Sequence, residues 1–170
     1  MTGEATMPAG SDGASDIFLH VEGRGGAIRG EATTEGHVDD IDVRSWQWGV
    51  ASGSAIGSGA ATARRSYRHL VVVKGVDRSS VALFTSLINN VELRQVALTM
   101  RKAGGDALDY FRMELGQARV VDIDIHVDEG GRSAERVSFS FQRVLVGYTP
   151  QQGSGIGEGE SITEDTFLPS

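Results

Sequence analysis

The sequence predicts a mainly β fold, an antiparallel β-barrel with one short flanking α-helix and an extended loop. Three observations carry that expectation. Successive segments alternate apolar and polar residues at period two, Gly, Asn and Asp separate them at hairpin-like spacing, and a single segment carries apolar residues at helical spacing. The 170 residues suit one domain, and with no Cys the fold rests on packing and sheet hydrogen bonds rather than disulfides. A net charge of -7 disfavours nucleic acid as a partner, because phosphate binding draws mainly on clustered Lys and Arg. No apolar run approaches the ~20 residues of a membrane span, and residues 1–15 lack the basic and apolar regions of a signal peptide.

Residues 1–15, small and polar, read as a disordered leader, and the domain is expected over 16–150. Ile17, Leu19 and Val21 alternate with Phe18, His20 and Glu22, giving a first strand that Gly23 to Gly26 ends. Further strands are expected over 40–50, 66–74, 91–102, 108–115, 119–128 and 136–148. Within the last, Val137, Phe139 and Phe141 share one face while Val144, Val146 and Tyr148 share the other. The phase flips near Gln142 and Arg143, which predicts a bulge or sharp coil in one long strand serving the core at one end and a second covered surface at the other.

Leu83, Phe84, Leu87 and Ile88 fall at three-and-four spacing, so residues 80–88 read as the helix, with Asp77, Ser79 or Ser80 as N-cap and Asn89-Asn90 as stop. Residues 51–63 carry no charge and little to bury, and read as a flexible excursion between strands. The Gly-rich, acidic segment 151–170 reads as a flexible tail, in which Thr166-Phe167-Leu168 is suited to add an edge strand to a neighbour.

Catalytic and ligand chemistry finds little support. Gly23-Arg24-Gly25-Gly26 lacks a following Gly-Lys-Ser/Thr, and Gly57-Ser58-Gly59 opens no helix after a strand, so neither is a phosphate loop. His37 with Asp39 and Asp40 is the best ligand cluster, yet His20, His69 and His126 stand at no metal-site spacing from it, and a solvated or locally bonded His37 is the better reading. No Ser occupies a Gly-x-Ser-x-Gly elbow. Asp122 and Asp124, opposite Val121, Ile123 and Ile125, read as a wet strand face rather than a glycosidase pair. Trp46 and Trp48 point to one face with Val50 and read as core anchors. Gln47 points to the other, polar and outward, with Ile41 and Val43 on its own side. No catalytic residue, metal ligand or cofactor is assigned.

Ordered blocks from about Ile17 to Gln151 resemble one family. They are Gly30-Glu31, His37, Ile41-Asp42-Val43, Ser45-Trp46-Gln47-Trp48-Gly49, Val76-Asp77-Arg78-Ser79-Ser80, Arg101-Lys102-Ala103-Gly104-Gly105, Val137-Ser138 and Tyr148-Thr149-Pro150-Gln151. The chain resembles the haemolysin-coregulated protein (Hcp) family, the tube subunit of bacterial type VI secretion. The resemblance implies a non-enzymatic β-barrel assembled as a homohexameric ring. Stacked rings form the inner tube, with effector proteins carried in the lumen and sheath and spike proteins as partners. It implies a protein that is cytoplasmic when assembled and then secreted without a signal peptide, with no nucleic-acid partner and no membrane insertion.

By the same resemblance, residues 51–65 match an extended loop that reaches toward a neighbouring ring or subunit. This marks Ser52, Gly53, Ser54, Gly57, Ser58, Gly59, Arg64 and Arg65 as ring or stacking residues, and Gln47 as facing the lumen and its cargo. Trp46, Trp48, Gly49, Arg101, Lys102, Gly104 and Gly105 are expected to be structural, with Gly104-Gly105 supplying positive φ in a hairpin. Val81, where the family usually has Pro, together with the leader and the acidic ending departs from the pattern. The nearest alternative is the tail-tube subunit of a phage-like or extracellular contractile injection particle. An alternative of another class is a monomeric ligand-binding module or hydrolase, with the Trp pair or the Asp122 and Asp124 face as its site.

Overall fold

Alternation becomes strand wherever one face has a core to cover. The computed structural model describes residues 14–53, 64–103, 108–150 and 159–167. In chain order the elements are β1 (Ser15–Gly23), β2 (Gly26–Ile28), β3 (Ile41–Gln47), β4 (Val50–Gly53), β5 (Arg64–Tyr67) and β6 (Leu70–Lys74), then α1 (Ser79–Ile88). After the helix come β7 (Gln95–Lys102), β8 (Asp109–Gly116), β9 (Arg119–Val127), β10 (Ser133–Ser140), β11 (Arg143–Tyr148) and β12 (Ser161–Thr166).

The main sheet is antiparallel throughout and runs β12-β11-β8-β7-β1-β3-β6-β10-β9, with β2 folded back on β1. β4 and β5 form a separate two-stranded ladder. A single apolar cluster draws on β1, β3, β6, α1, β7, β8, β9, β10 and β11, so the sheet curls around one core centred on Leu19, Ile41, Leu70, Leu98, Met113 and Phe139. The mainly β, antiparallel class with one helix is therefore what the sequence predicts. Hydrogen bonding leaves β9 and β12 as the two ends of the path among the described residues.

Three local expectations change. First, the break near Gln142 separates two strands, β10 and β11, rather than bending one. Val144 and Val146 then face the same core as Val137 and Phe139, because β11 lies on β8 across the curled sheet, whereas Tyr148 stays 48% exposed. Second, Ile41 and Val43 do not share a face with Gln47. A bulge between Val43 and Ser45 in the β3–β6 pairing shifts the phase by one residue. Ile41 and Val43 are buried, Trp46 takes over the inward side, and Gln47 is left exposed. Third, residues 161–166, expected within a flexible tail, form β12 along the full length of β11, and β1 already includes Ser15.

The helix begins one residue earlier than expected. The N-cap is Arg78 and not Asp77, Ser79 or Ser80, but Asp77 Oδ1 accepts the Ser79 backbone N–H at 2.8 Å and so satisfies a donor of the first turn, while Ser80 Oγ accepts the Asp77 N–H at 3.0 Å. Leu83 is buried and Leu87 packs on the core, but Phe84 and Ile88 remain 54% and 59% exposed. The helix therefore lays a narrower stripe on the sheet than the spacing of its apolar residues suggests.

Candidate functional site

The Trp motif is the root of an arm. Trp46 stacks on Phe111 with centroids 5.6 Å apart, and Trp48 on Tyr67 at 5.9 Å. Tyr67 in turn meets Phe141 edge-on and Phe167 face-on at 4.5 Å. This aromatic cluster closes the base of the β4–β5 ladder, where Arg68 N–H donates to the Gly49 carbonyl at 2.9 Å. Such stacked and edge-on pairs each add about 0.5–1.5 kcal/mol beyond their burial. Both Trp side chains are half-buried against the core. Every residue of β4 is exposed.

The predicted loop is therefore ladder at its two ends. Ser52 and Gly53 lie in β4 and Arg64 and Arg65 in β5, in the register Ser52↔Arg65 and Gly53↔Arg64. Ser54, Gly57, Ser58 and Gly59 lie outside the described residues, as do Gly104 and Gly105. Gln47 stands exposed at the end of β3, beside the arm.

A second feature pins the loop between β2 and β3. Its backbone is bonded to itself: the Gly30 N–H donates to Asp39 O at 2.8 Å, Asp39 N–H to Ala32 O at 2.9 Å, and Ala32 N–H to Asp40 O at 3.0 Å. A side chain at Gly30 would lie 2.6 Å from Ile41 Cα, so only glycine permits this approach. His37 is buried and stacks on Phe18 with ring centroids 4.1 Å apart and 6° between planes. Its Nδ1 lies 2.8 Å from Asp40 Oδ2, and its Nε2 lies 3.0 Å from Asp109 Oδ2 on β8. Arg101, buried on β7, donates to Asp109 Oδ1 at 2.7 Å and to the Glu35 carbonyl at 2.8 Å. His20 completes the chain of charge, 2.8 Å from Asp40 Oδ1 and 3.2 Å from Glu22 Oε1.

Burial lowers the pKa of the His20 imidazole, but the hydrogen bonds to Asp40 and Glu22 and the charges of those carboxylates outweigh it and raise the value above the ordinary one. For Asp109, burial acts upward, and the bonds from Arg101 and His37 outweigh it and hold the carboxyl below its usual range. His37 is thus locally bonded, and Arg101 is a clamp for the 30–40 loop as well as a strand residue. Lys102 is exposed on the same strand.

A third cluster is internal. Lys74 and Glu135 are cross-strand partners with no exposed surface, their Nζ and Oε2 2.6 Å apart. Asp77 Oδ1 and Ser80 Oγ lie 3.0 and 3.2 Å from the same Nζ. The cluster thereby ties the start of α1 to β6 and β10. Asp122 and Asp124 are exposed on β9, as a wet face requires, but Val121, Ile125 and Val127 on that strand are exposed as well. Among the described residues no group of three or more His, Asp or Glu is placed to hold a metal ion.

Among the described residues nothing converges on a cleft with a nucleophile and a base. The geometry consists of a projecting arm, a clamped loop and exposed apolar strips on β9 and α1, the kinds of surface that meet other proteins. Sequence reasoning grouped His37 with Asp40, which it does meet, and missed the distant partners: Asp109 for His37 and Arg101, and the Lys74–Glu135 pair. A signal for that pair was present. Lys74 has the inward parity of Leu70 and Val72, and Glu135 that of Val137 and Phe139.

The family model described as "Type VI secretion system effector, Hcp" matches residues 18–148. Protein hcp1 of Pseudomonas aeruginosa is 31% identical over 153 residues, covering 88% of this chain and 92% of its own. Among solved structures, Hcp1 from Salmonella typhimurium superposes with a TM-score of 0.71 at 28% identity, covering 91% of this chain and 95% of that one. Hcp1 from the E. coli EAEC 042 pathovar, at 17% identity, shares the fold with a TM-score of 0.75 over 90% of this chain and 99% of that one. A match spanning β1 to β11, with a relative of this identity across most of both chains, places the protein: it belongs to the Hcp family of type VI secretion proteins.

Proposed function

We propose that the protein is a non-enzymatic tube subunit, closing into a homohexameric ring through heterologous contacts between neighbouring barrels, with stacked rings forming a conduit that carries effector proteins. The single observation that carries this reading is the β4–β5 arm. It leaves the core at an aromatic root, exposes every residue of β4, and belongs to a chain of the Hcp family. A segment with so little to bury gains order by docking on another surface.

In this reading residues 51–65 reach a neighbouring ring or subunit, Gln47 beside the arm root faces the lumen and its cargo, and sheath and spike proteins bind elsewhere on the assembly. The exposed apolar residues of β9 suit a subunit contact, since a strand at a sheet end with exposed Val121, Ile125 and Val127 is an aggregation hazard unless covered. Assembly takes place in the cytoplasm, and the subunit then leaves the cell with the apparatus. No helix among the described residues is long and apolar enough to cross a membrane.

Deleting residues 54–63 and imaging the particles tests the arm. Rings that persist but no longer stack support the assignment, and unaltered stacking removes it.

A further inference from the structure

The strand β12 ends the sheet beyond β11. Its side chains are mostly exposed, and its ladder with β11 runs from Arg143↔Thr166 to Tyr148↔Ser161. What fixes it besides the ladder is charge and one aromatic anchor. Three acids meet three arginines: Glu160 with Arg112, Glu164 with Arg143 at 2.6 Å, and Asp165 with Arg65, whose Nη2 lies 2.6 Å from Oδ1. Tyr67 also donates to Asp165, at 2.6 Å. Phe167 fills the space between Tyr67 and Phe141, with centroids 4.5 and 5.6 Å away, and its N–H donates to Gln142 O at 2.9 Å.

This is the anatomy of a bound peptide. Main-chain bonds supply affinity along an edge, and a charge pattern with an aromatic pocket supplies specificity. The acceptor is a row of arginines on a chain whose net charge is -7, so its preference for this acidic segment is a property of the site and not of the overall charge. Connectivity points the same way. Tyr148 pairs with Ser161, so residues 149–160 join the two strands, where a local hairpin uses about two to five residues. Fully extended, that run reaches about 40 Å. It spans the roughly 4.8 Å between adjacent strands many times over, and it is long enough to reach an adjoining molecule. A strand with few buried side chains on such a tether is at the low-stability end of the fold.

We propose that the β11 edge, with Arg112, Arg143, Arg65 and the Tyr67–Phe141 pair, is an acceptor site for the 159–167 strand, and that in the assembled protein the strand comes from a second copy of this chain. The proposal rests on the self-assembly read above. Exchange of an identical element between protomers adds an intermolecular link without any new kind of contact. It also covers the edge of β11 in every copy of a closed ring, since each copy both gives and receives a strand. Because Asp165 of the incoming strand binds Arg65 and Tyr67 of β5, the exchange also ties one copy's C-terminal strand to the other's arm.

The chain has no Cys, so engineered thiols report without background. Val146→Cys and Thr163→Cys occupy facing positions in the β11–β12 register. Two singly substituted chains carrying different tags are co-expressed, purified through both tags and oxidised. Exchange predicts a disulfide-linked species containing one chain of each kind on a non-reducing denaturing gel. Leu145→Cys with Glu164→Cys, also facing, repeats the test should the first pair fold poorly. Light scattering on the same sample separates the two claims. Assembled particles with no linked species, in which a doubly substituted chain closes its disulfide only within itself, overturn the exchange and leave the tube reading standing. Monomers with no linked species overturn both.

Discussion

His37 Nε2 lies 3.0 Å from Asp109 Oδ2 across 72 residues of sequence, and this contact joins the loop after β2 to the start of β8. Asp109 is shared, because Arg101 donates to its other oxygen while also holding the Glu35 carbonyl. The loop is thus clamped from two strands by one carboxylate. Asp109→Asn is expected to leave Arg101 buried with a weakened partner and to cost about 1–3 kcal/mol, the penalty for an unsatisfied buried polar group. Urea unfolding measures the cost, and an unchanged midpoint at constant slope contradicts the clamp.

The same network sets a pH dependence. The folded-state pKa of His20 lies above its ordinary value of 6.5, so its contribution is fully present below 6.5 and is lost as pH rises through the raised value. Asp109, held below its ordinary 3.8, contributes above that value and loses its contribution as pH falls through the lowered one. Stability is therefore expected to decline on the alkaline side of about pH 6.5. His20→Gln flattens that limb in a series of urea midpoints taken through neutral pH. A limb of unchanged slope in the variant assigns the dependence to another group.

Lys74 and Glu135 make a different kind of test. Lys74→Met strands a carboxylate that has no exposed surface and is expected to cost about 3–5 kcal/mol, whereas Lys74→Met with Glu135→Leu recovers most of the loss. Thermal unfolding of the single and double variants checks it. Additive losses in the double variant contradict the pairing.

Gly30→Ala is expected to destabilise by about 1–3 kcal/mol, the usual cost of overpacking, because the added carbon meets the backbone of Asp40 and Ile41 rather than a side chain that moves aside. Gly25→Ala, in the open β1–β2 turn where an added carbon meets nothing within 4 Å, is the control. Equal effects in both refute the close-approach argument.

Gln47→Arg bears on cargo. On the lumen-facing role proposed for Gln47, a cation there is expected to change retention of co-purifying effector protein without altering ring mass, as read by pull-down and light scattering. Unchanged retention removes Gln47 from the cargo surface.

Most of the sheet is legible because period-two alternation records which face is buried: β6 obeys it throughout, and β1, β7 and β10 follow it apart from Phe18, Arg101 and Ser138, which are buried on the other parity. What escaped was phase. The bulge between Val43 and Ser45 moved Gln47 away from the side of Ile41 and Val43, and counting parity along β3 cannot detect an inserted residue. Alternation alone sets Val144 and Val146 on a second surface, because it shows that a face is covered without saying by what, and the curl that returns β11 to the core is a tertiary fact. β12 is legible only at its end, as an edge strand near Thr166, since its residues Ser161-Ile162-Thr163-Glu164-Asp165-Thr166 bury little and are held by arginines elsewhere in the chain. The clamp was half visible. His37 and Arg101 stood out in their motifs, but Asp109 could not be joined to them before β7 and β8 were paired.

The central claim is closed assembly, and the mass of the purified protein in solution tests it most directly, by light scattering coupled to size exclusion with negative-stain images of the same peak. Closed assembly gives ring-shaped particles of six chains. A clean monomer of 18.1 kDa at high concentration contradicts it.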